Sequence, residues 1–244
     1  MELSRLPTNS PLDKILGGGL ECGAVTNIFG PPGSGKTNIA MTTLLGCQNK
    51  VIYVDTEGSF SLERFEQLGG DERALKRILL IEPHTWAEQN QAISKLGAEL
   101  KKEKIDLIVV DSLVALYRLE ISDTNFKEVN RQLAAQYSTL SKLARAYNIP
   151  VLVTNQVYSK APGMRGGSAA RSNCDESHAE TDEVELTSRM IARYWSKCLV
   201  ELQRKDRLGM RTAILRKHRS LPEGKSVDFE ITTNRLKEVK LGIF

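Results

Sequence analysis

The sequence predicts an α/β protein built on a mostly parallel sheet, and three observations carry that prediction. Short apolar runs rich in β-branched residues alternate with longer stretches of helical period. The runs are near-continuously apolar, as strands buried on both faces are. A glycine-rich turn ending in Lys36 and Thr37 joins the first run to the first helical stretch.

Residues 24–30 (AVTNIFG) read as the first strand and residues 36–48 as the helix after it. Residues 50–55 (KVIYVD) give a second buried strand. A helix over 61–69 opens on Ser61 as its N-cap, with Leu62, Phe65 and Leu68 on one face. Residues 78–83 form a third strand, and 85–103 a helix with one apolar side. Residues 105–111 (IDLIVVD) and 149–156 (IPVLVTNQ) are two more strands, with a long helical pattern over 125–148 between them. From about residue 196 the texture changes to consecutive strands, SKCLVEL, RTAILRK and SVDFEIT, joined by turns. No linker precedes them, so they are expected to extend the same sheet antiparallel, with 1–244 forming one domain. Residues 158–188 are the exception, polar and without period until near their end. A stretch this long is functional or disordered, and a flexible loop is expected.

Composition narrows the function classes. The chain has 244 residues, of which 41% are apolar, enough for a sizeable core, and its formal net charge of +4 tolerates a polyanionic partner without requiring one. The four cysteines lie far apart with no C-x-x-C pair, which fits a reducing compartment. Cys174 and His178 have metal-ligand spacing, but two ligands do not make a structural site, and solvated loop residues are the simpler reading. No apolar run approaches the ~20 residues that cross a bilayer, and the first ten residues lack a signal-peptide core. A soluble cytoplasmic protein with no membrane partner is expected.

Gly30, Pro31, Pro32, Gly33, Ser34, Gly35, Lys36 and Thr37 satisfy G-x-x-x-x-G-K-[ST] between a strand and a helix, the context this pattern needs. Glycines let successive backbone N–H groups converge on phosphate oxygens, and the helix start adds its positive dipole end. Lys36 would reach the β- and γ-phosphates of ATP, and the Thr37 hydroxyl would ligate Mg2+. The plain alternative is a glycine-rich turn with a chance lysine. Asp111 ends a buried strand where a carboxylate can hold the magnesium water shell, or simply closes a turn. Asp55 and Glu57 follow the neighbouring strand, from which a carboxylate can deprotonate an attacking water. A charge at a helix start is the alternative for Glu57.

Four further stretches add a resemblance. YVDTEGSFSLERF (53–65), VDSLVALYR (110–118), RQLAAQYSTLSKLARAYNIPVLVTNQVYS (131–159) and LPEGKSVDFEIT (221–232) resemble the ATPase core of RecA/RadA-family recombinases, over nearly the whole chain except 158–188. The likeness is strongest to the short archaeal paralogues that lack the N-terminal helical domain and polymerisation motif. A RecA-like P-loop NTPase fold is implied. So are roles for Glu57 in activating water, Arg64 in packing on adenine, and Gln156 in sensing the γ-phosphate. A surface helix charge and a strand-end amide are the bland alternatives for Arg64 and Gln156.

The resemblance also implies two DNA-binding loops. The first would offer Arg118, Lys127 and Arg131 to phosphates, each of them equally readable as a solvated charge. The second matches 158–188, with Lys160, Arg165 and Arg171 in its basic half. Its acidic half would repel a phosphate backbone, and LTSRMIARYW stands where the family often has a glycine pair. Residues 189–219 hold ten Lys/Arg against two acidic residues, a solvated face or an interaction surface. In recombinase filaments the segment matching RKHRSLPEG caps the neighbour's ATP, so Arg216, Lys217 and Pro222 would contact nucleotide in trans, although many members carry aspartate at the place of Lys217.

Two readings follow. In the first, the chain binds ATP and single-stranded or branched DNA, is at most a weak ATPase, and assists a RadA-type recombinase and a Holliday-junction nuclease, as an oligomer or not. In the second it is an ATP-dependent regulatory module that works through protein partners. The salt dependence of DNA binding distinguishes them.

Overall fold

The computed structural model describes residues 4–156 and 188–239. A short antiparallel pair, β1 (Arg5–Leu6) and β2 (Leu20–Glu21), leads into β3 (Val25–Gly30) and α1 (Lys36–Leu45). Then come β4 (Lys50–Asp55), α2 (Leu62–Gln67), α3 (Glu72–Leu75), β5 (Ile78–Ile81), α4 (Trp86–Lys102) and β6 (Ile105–Asp111). Next are α5 (Ala115–Glu120), α6 (Phe126–Tyr147), β7 (Val151–Gln156) and a helix over 188–195, here α7. The chain closes on β8 (Cys198–Arg204), β9 (Met210–His218), β10 (Ser226–Ile231) and β11 (Leu236–Glu238).

Among the described residues nine strands form one sheet, in the order β11-β10-β9-β8-β3-β7-β6-β4-β5. The strands from β8 to β5 are parallel, and β9, β10 and β11 add on antiparallel. The expected extension of the sheet is therefore present, except that its first strand, β8, joins β3 parallel. Because successive side chains of a strand point to opposite faces, each central strand serves two cores. Val51 and Tyr53 of β4, with Leu107 and Val109 of β6, meet Ile39, Met41 and Leu44 of α1 and Phe65 of α2. Ile52, Val54, Ile108 and Val110 face the other way, onto Trp86, Ile93, Leu133, Tyr137 and Leu140 of α4 and α6.

The helix starts follow their caps. Ser61, Asp71 and Thr85 accept N–H bonds at the heads of α2, α3 and α4, each satisfying an amide the helix leaves over. Phe65 and Leu68 are buried as expected, but Leu62 is 48% exposed, so the apolar face of α2 is narrower than its spacing predicts. The strand expected over 78–83 ends at Ile81, and as the sheet edge it leaves Leu79 and Leu80 partly exposed.

A polar bond ties the second core to the sheet. The hydroxyl of Tyr137 accepts amide N–H groups from Asn27 on β3 and Asn155 on β7, at 3.0 and 2.9 Å. All three side chains are buried. Tyr137→Phe keeps the ring and strands both amides, so urea denaturation is expected to show a loss of about 2 kcal/mol or more. Unchanged stability would mean that the amides find other partners.

Candidate functional site

The loop 30–37 leaves β3 at the rim of the sheet and enters α1 through Gly35, whose φ of 99° lies in the left-handed region that side chains avoid. Among the described residues no side chain caps the start of α1, so its first amides remain available to an outside acceptor. Lys36 is 7% exposed, and its ammonium donates to the carbonyls of Gly30 and Pro31, both at 3.0 Å. Burial lowers its pKa, opposed by the charges of Asp111 and Glu57 and reinforced by Arg118. The Ser34 hydroxyl is fully buried and has no hydrogen-bond partner among the described residues.

Asp111 is the hub of the site. Oδ2 accepts the hydroxyls of Thr37 and Tyr53 at 2.8 Å and of Ser59 at 3.2 Å, while Oδ1 accepts that of Thr154. Burial first, and then the charge of Asp111, hold the Tyr53 hydroxyl protonated, with a pKa well above its usual value. Asp55 serves its own turn: its carboxylate accepts the N–H groups of Glu57 and Phe60 and, at 3.4 Å, shares the single hydroxyl proton of Ser59 with Asp111. That turn presents Glu57 to solvent, where Gln156 Nε2 donates to Glu57 Oε2 at 2.5 Å. Arg118 donates to the Gln156 carbonyl at 2.6 Å. One residue at the end of β7 thus meets the turn after β4 with its side chain and α5 with its backbone.

The chain that carries this loop, buried lysine, hydroxyl–aspartate pair and glutamate–glutamine contact has relatives among known proteins. The family model described as Rad51 matches residues 2–235. The chain belongs to the Rad51 family. Within that family its likeness is to archaeal RadB proteins. It is 38% identical to the DNA repair and recombination protein RadB of Methanobrevibacter smithii over 234 residues, 93% of each chain. It is 39% identical to that of Methanosphaera stadtmanae over 93% of this chain and 92% of that one. A solved structure, titled as the crystal structure of the RadB recombinase, superposes with a TM-score of 0.76 at 34% identity, covering 96% of this chain and 100% of that chain.

Of the site residues expected from the sequence, the structure brings Lys36, Thr37, Glu57, Asp111 and Gln156 together and adds Arg118 to them. Arg118, expected among the DNA-loop cations, is half-buried on the Gln156 carbonyl. Lys127 and Arg131 are exposed on the first turns of α6, and Arg131 pairs with Glu128 at 2.6 Å. Arg64 reaches the loop side of α1 through Asn38 Oδ1, at 2.6 Å, and its remaining donors meet Gln67 and the carbonyls of Thr232 and Thr233. Lys160, Arg165, Arg171, Cys174 and His178 lie outside the described residues.

Arg216 and Lys217 sit at the far end of β9, where a register shift leaves Arg216 as an extra residue opposite β8. Both are engaged within their own chain: Arg216 pairs with Glu201 at 2.5 Å, and Lys217 donates to the carbonyls of Arg193 and Ser196 at the end of α7. Pro222 is exposed in the turn after β9. Sequence reasoning missed the hydroxyls of Tyr53, Ser59 and Thr154 around Asp111, and it missed Arg211, which donates twice to the carbonyl of Gly33.

These residues suit a triphosphate with a divalent ion. The unpartnered Ser34 hydroxyl, the uncapped start of α1 and the buried ammonium are donors waiting for anionic oxygens. Thr37 and Asp111, 2.8 Å apart, form the hydroxyl and carboxylate oxygen pair that suits a hard cation such as Mg2+. Among the described residues no helix is long and apolar enough to cross a membrane.

Proposed function

We propose that this chain is an ATP- and Mg2+-binding accessory protein of DNA repair and homologous recombination. On this reading residues 1–244 act as one RecA-like ATPase core in the cytoplasm. The chain binds single-stranded or branched DNA, and it assists a RadA-type recombinase and branched-DNA processing by a Holliday-junction nuclease without exchanging strands itself. The observation that carries the reading is the convergence of Lys36, Thr37, Asp111, Glu57 and Gln156 on one strand rim.

Bound magnesium would neutralise charge on the β- and γ-phosphate oxygens. Lys36, which donates to two loop carbonyls, would exchange them for phosphate oxygens and offset the remaining charge. Thr37 and Asp111 would hold the ion, and Arg64 would pack on the base. Glu57 would take the proton of the attacking water, and Gln156, bonded to it, would sense the γ-phosphate and pass that state to the segment that follows β7. Hydrolysis should be slow in an isolated protomer. Arg216 and Lys217 are held within their own chain, and cations supplied in trans are worth about 10³ or more in kcat in related phosphoryl transfer.

Binding to fluorescent single-stranded and branched DNA at rising salt tests the reading. Expected is an affinity that falls steeply on a log–log plot, as counterion release requires. ATP turnover should remain weak and be little raised by DNA. Absent or salt-insensitive DNA binding at low ionic strength would favour the regulatory module acting through protein partners.

A further inference from the structure

We propose that Arg211 is a positioning residue for the nucleotide's phosphate tail, acting through the carbonyl of Gly33 at the apex of the loop. The inference rests on the nucleotide-binding reading above and extends it to a residue 178 positions away in sequence from the glycine it holds.

The geometry is specific. Nε and Nη2 of Arg211 both donate to the Gly33 carbonyl oxygen, at 3.1 and 2.7 Å, and Nη1 donates to the carbonyl of Met210 at 2.8 Å. The guanidinium is held by two carbonyls, one of them gripped by two N–H groups of one edge, which a lysine ammonium on a flexible stem would not reproduce. Gly33 has a φ of 68°, so its peptide takes a left-handed turn whose orientation needs an anchor. In a trans peptide the C=O and the following N–H point in opposite directions. With the Gly33 carbonyl drawn out toward β9, the Ser34 N–H turns inward, where it donates to the Pro31 carbonyl at 3.2 Å. The Lys36 ammonium donates to the same oxygen at 3.0 Å. An amide and an ammonium therefore converge on one acceptor inside the loop, the arrangement that a phosphate oxygen takes over on arrival.

Charge points the same way. Arg204 of β8 stands directly opposite Arg211 in the antiparallel pair, and like charges so placed destabilise a sheet. The side chain of Arg204 forms no ion pair among the described residues, and burial together with Arg204 lowers the pKa of Arg211. A cross-strand arginine pair beside an uncapped helix start is relieved when an anion binds there.

The test titrates Mg–ADP and Mg–ATP into wild type, Arg211→Gln and Arg211→Lys by calorimetry. It also follows hydrogen exchange of the nucleotide-free proteins by mass spectrometry. Arg211→Gln is expected to weaken both nucleotides about tenfold or more, the worth of a charge-assisted hydrogen bond. Arg211→Lys, which keeps the charge without the fork, should recover only part of this. Amides of Gly30 and residues 33–36 should exchange faster in both variants, while those of the β8–β9 pair keep their wild-type rates, a pattern that general destabilisation does not give. If Arg211→Gln is too unstable to study, Arg211→Lys carries the same comparison. Wild-type affinity in the glutamine variant, or full recovery with lysine, overturns the proposal and leaves the nucleotide reading standing. A wild-type protein that binds neither nucleotide removes both.

Discussion

Lys36→Ala is expected to lower the affinity for Mg–ATP by about a hundredfold or more, with little change in the melting temperature of the nucleotide-free protein. The ammonium is buried against two loop carbonyls, and burial is the main force lowering its pKa. Its desolvation is thus only partly offset in the free protein. A phosphate tail would repay it with charge-assisted hydrogen bonds worth about 1.5–3 kcal/mol each. Two of them account for the expected loss, since about 1.4 kcal/mol is a factor of ten. Calorimetric titration beside a thermal melt reads both quantities. An alanine variant that binds within a few-fold of wild type would take the lysine, and the triphosphate with it, out of the loop.

Asp111→Ala should damage folding and metal dependence together. The carboxylate accepts hydroxyls from Thr37, Tyr53, Ser59 and Thr154, and Tyr53 and Thr154 are fully buried. Truncation strands those two donors where water cannot reach them, at about 1–3 kcal/mol each, so a loss near 3 kcal/mol is expected in chemical denaturation. Asp111→Asn separates the two effects. It keeps the volume and one acceptor oxygen, so stability should fall less, while the gain in nucleotide affinity on adding Mg2+ should still vanish. An asparagine variant whose nucleotide binding responds to magnesium as wild type does would mean that the carboxylate is structural only.

Much of this site is legible in the sequence because its parts are local. The loop from Gly30 to Thr37 is contiguous, and Asp111 and Gln156 each end an apolar run whose length marks it as a strand. What escapes is whatever depends on register or on distant segments. Tyr53 reads as one more core aromatic in KVIYVD, and only the pairing of Asp55 with Asp111 shows that β4 and β6 end level, with the Tyr53 hydroxyl beside the hub. Arg211 sits in an ordinary amphipathic strand, and Gly33 is met only because β8 and β9 extend the sheet past β3. The short helix α5 is hidden because its six residues carry too few turns to display a period. Leu62 shows the opposite error, a correct helix whose first apolar position extends beyond the core.

The side-by-side strands have a wider consequence. Gly30 lies level with Gln156, Thr154 with Asp111, and Asp111 with Asp55, so the working residues are ruled off at the sheet's own interval of about 4.8 Å. Their separation is set by main-chain pairing deep in the molecule and owes nothing to the connections running outward from the rim. Connections other than the 30–37 loop and the 55–60 turn, which hold Lys36, Thr37 and Glu57, can differ in length or charge without moving these strand ends apart.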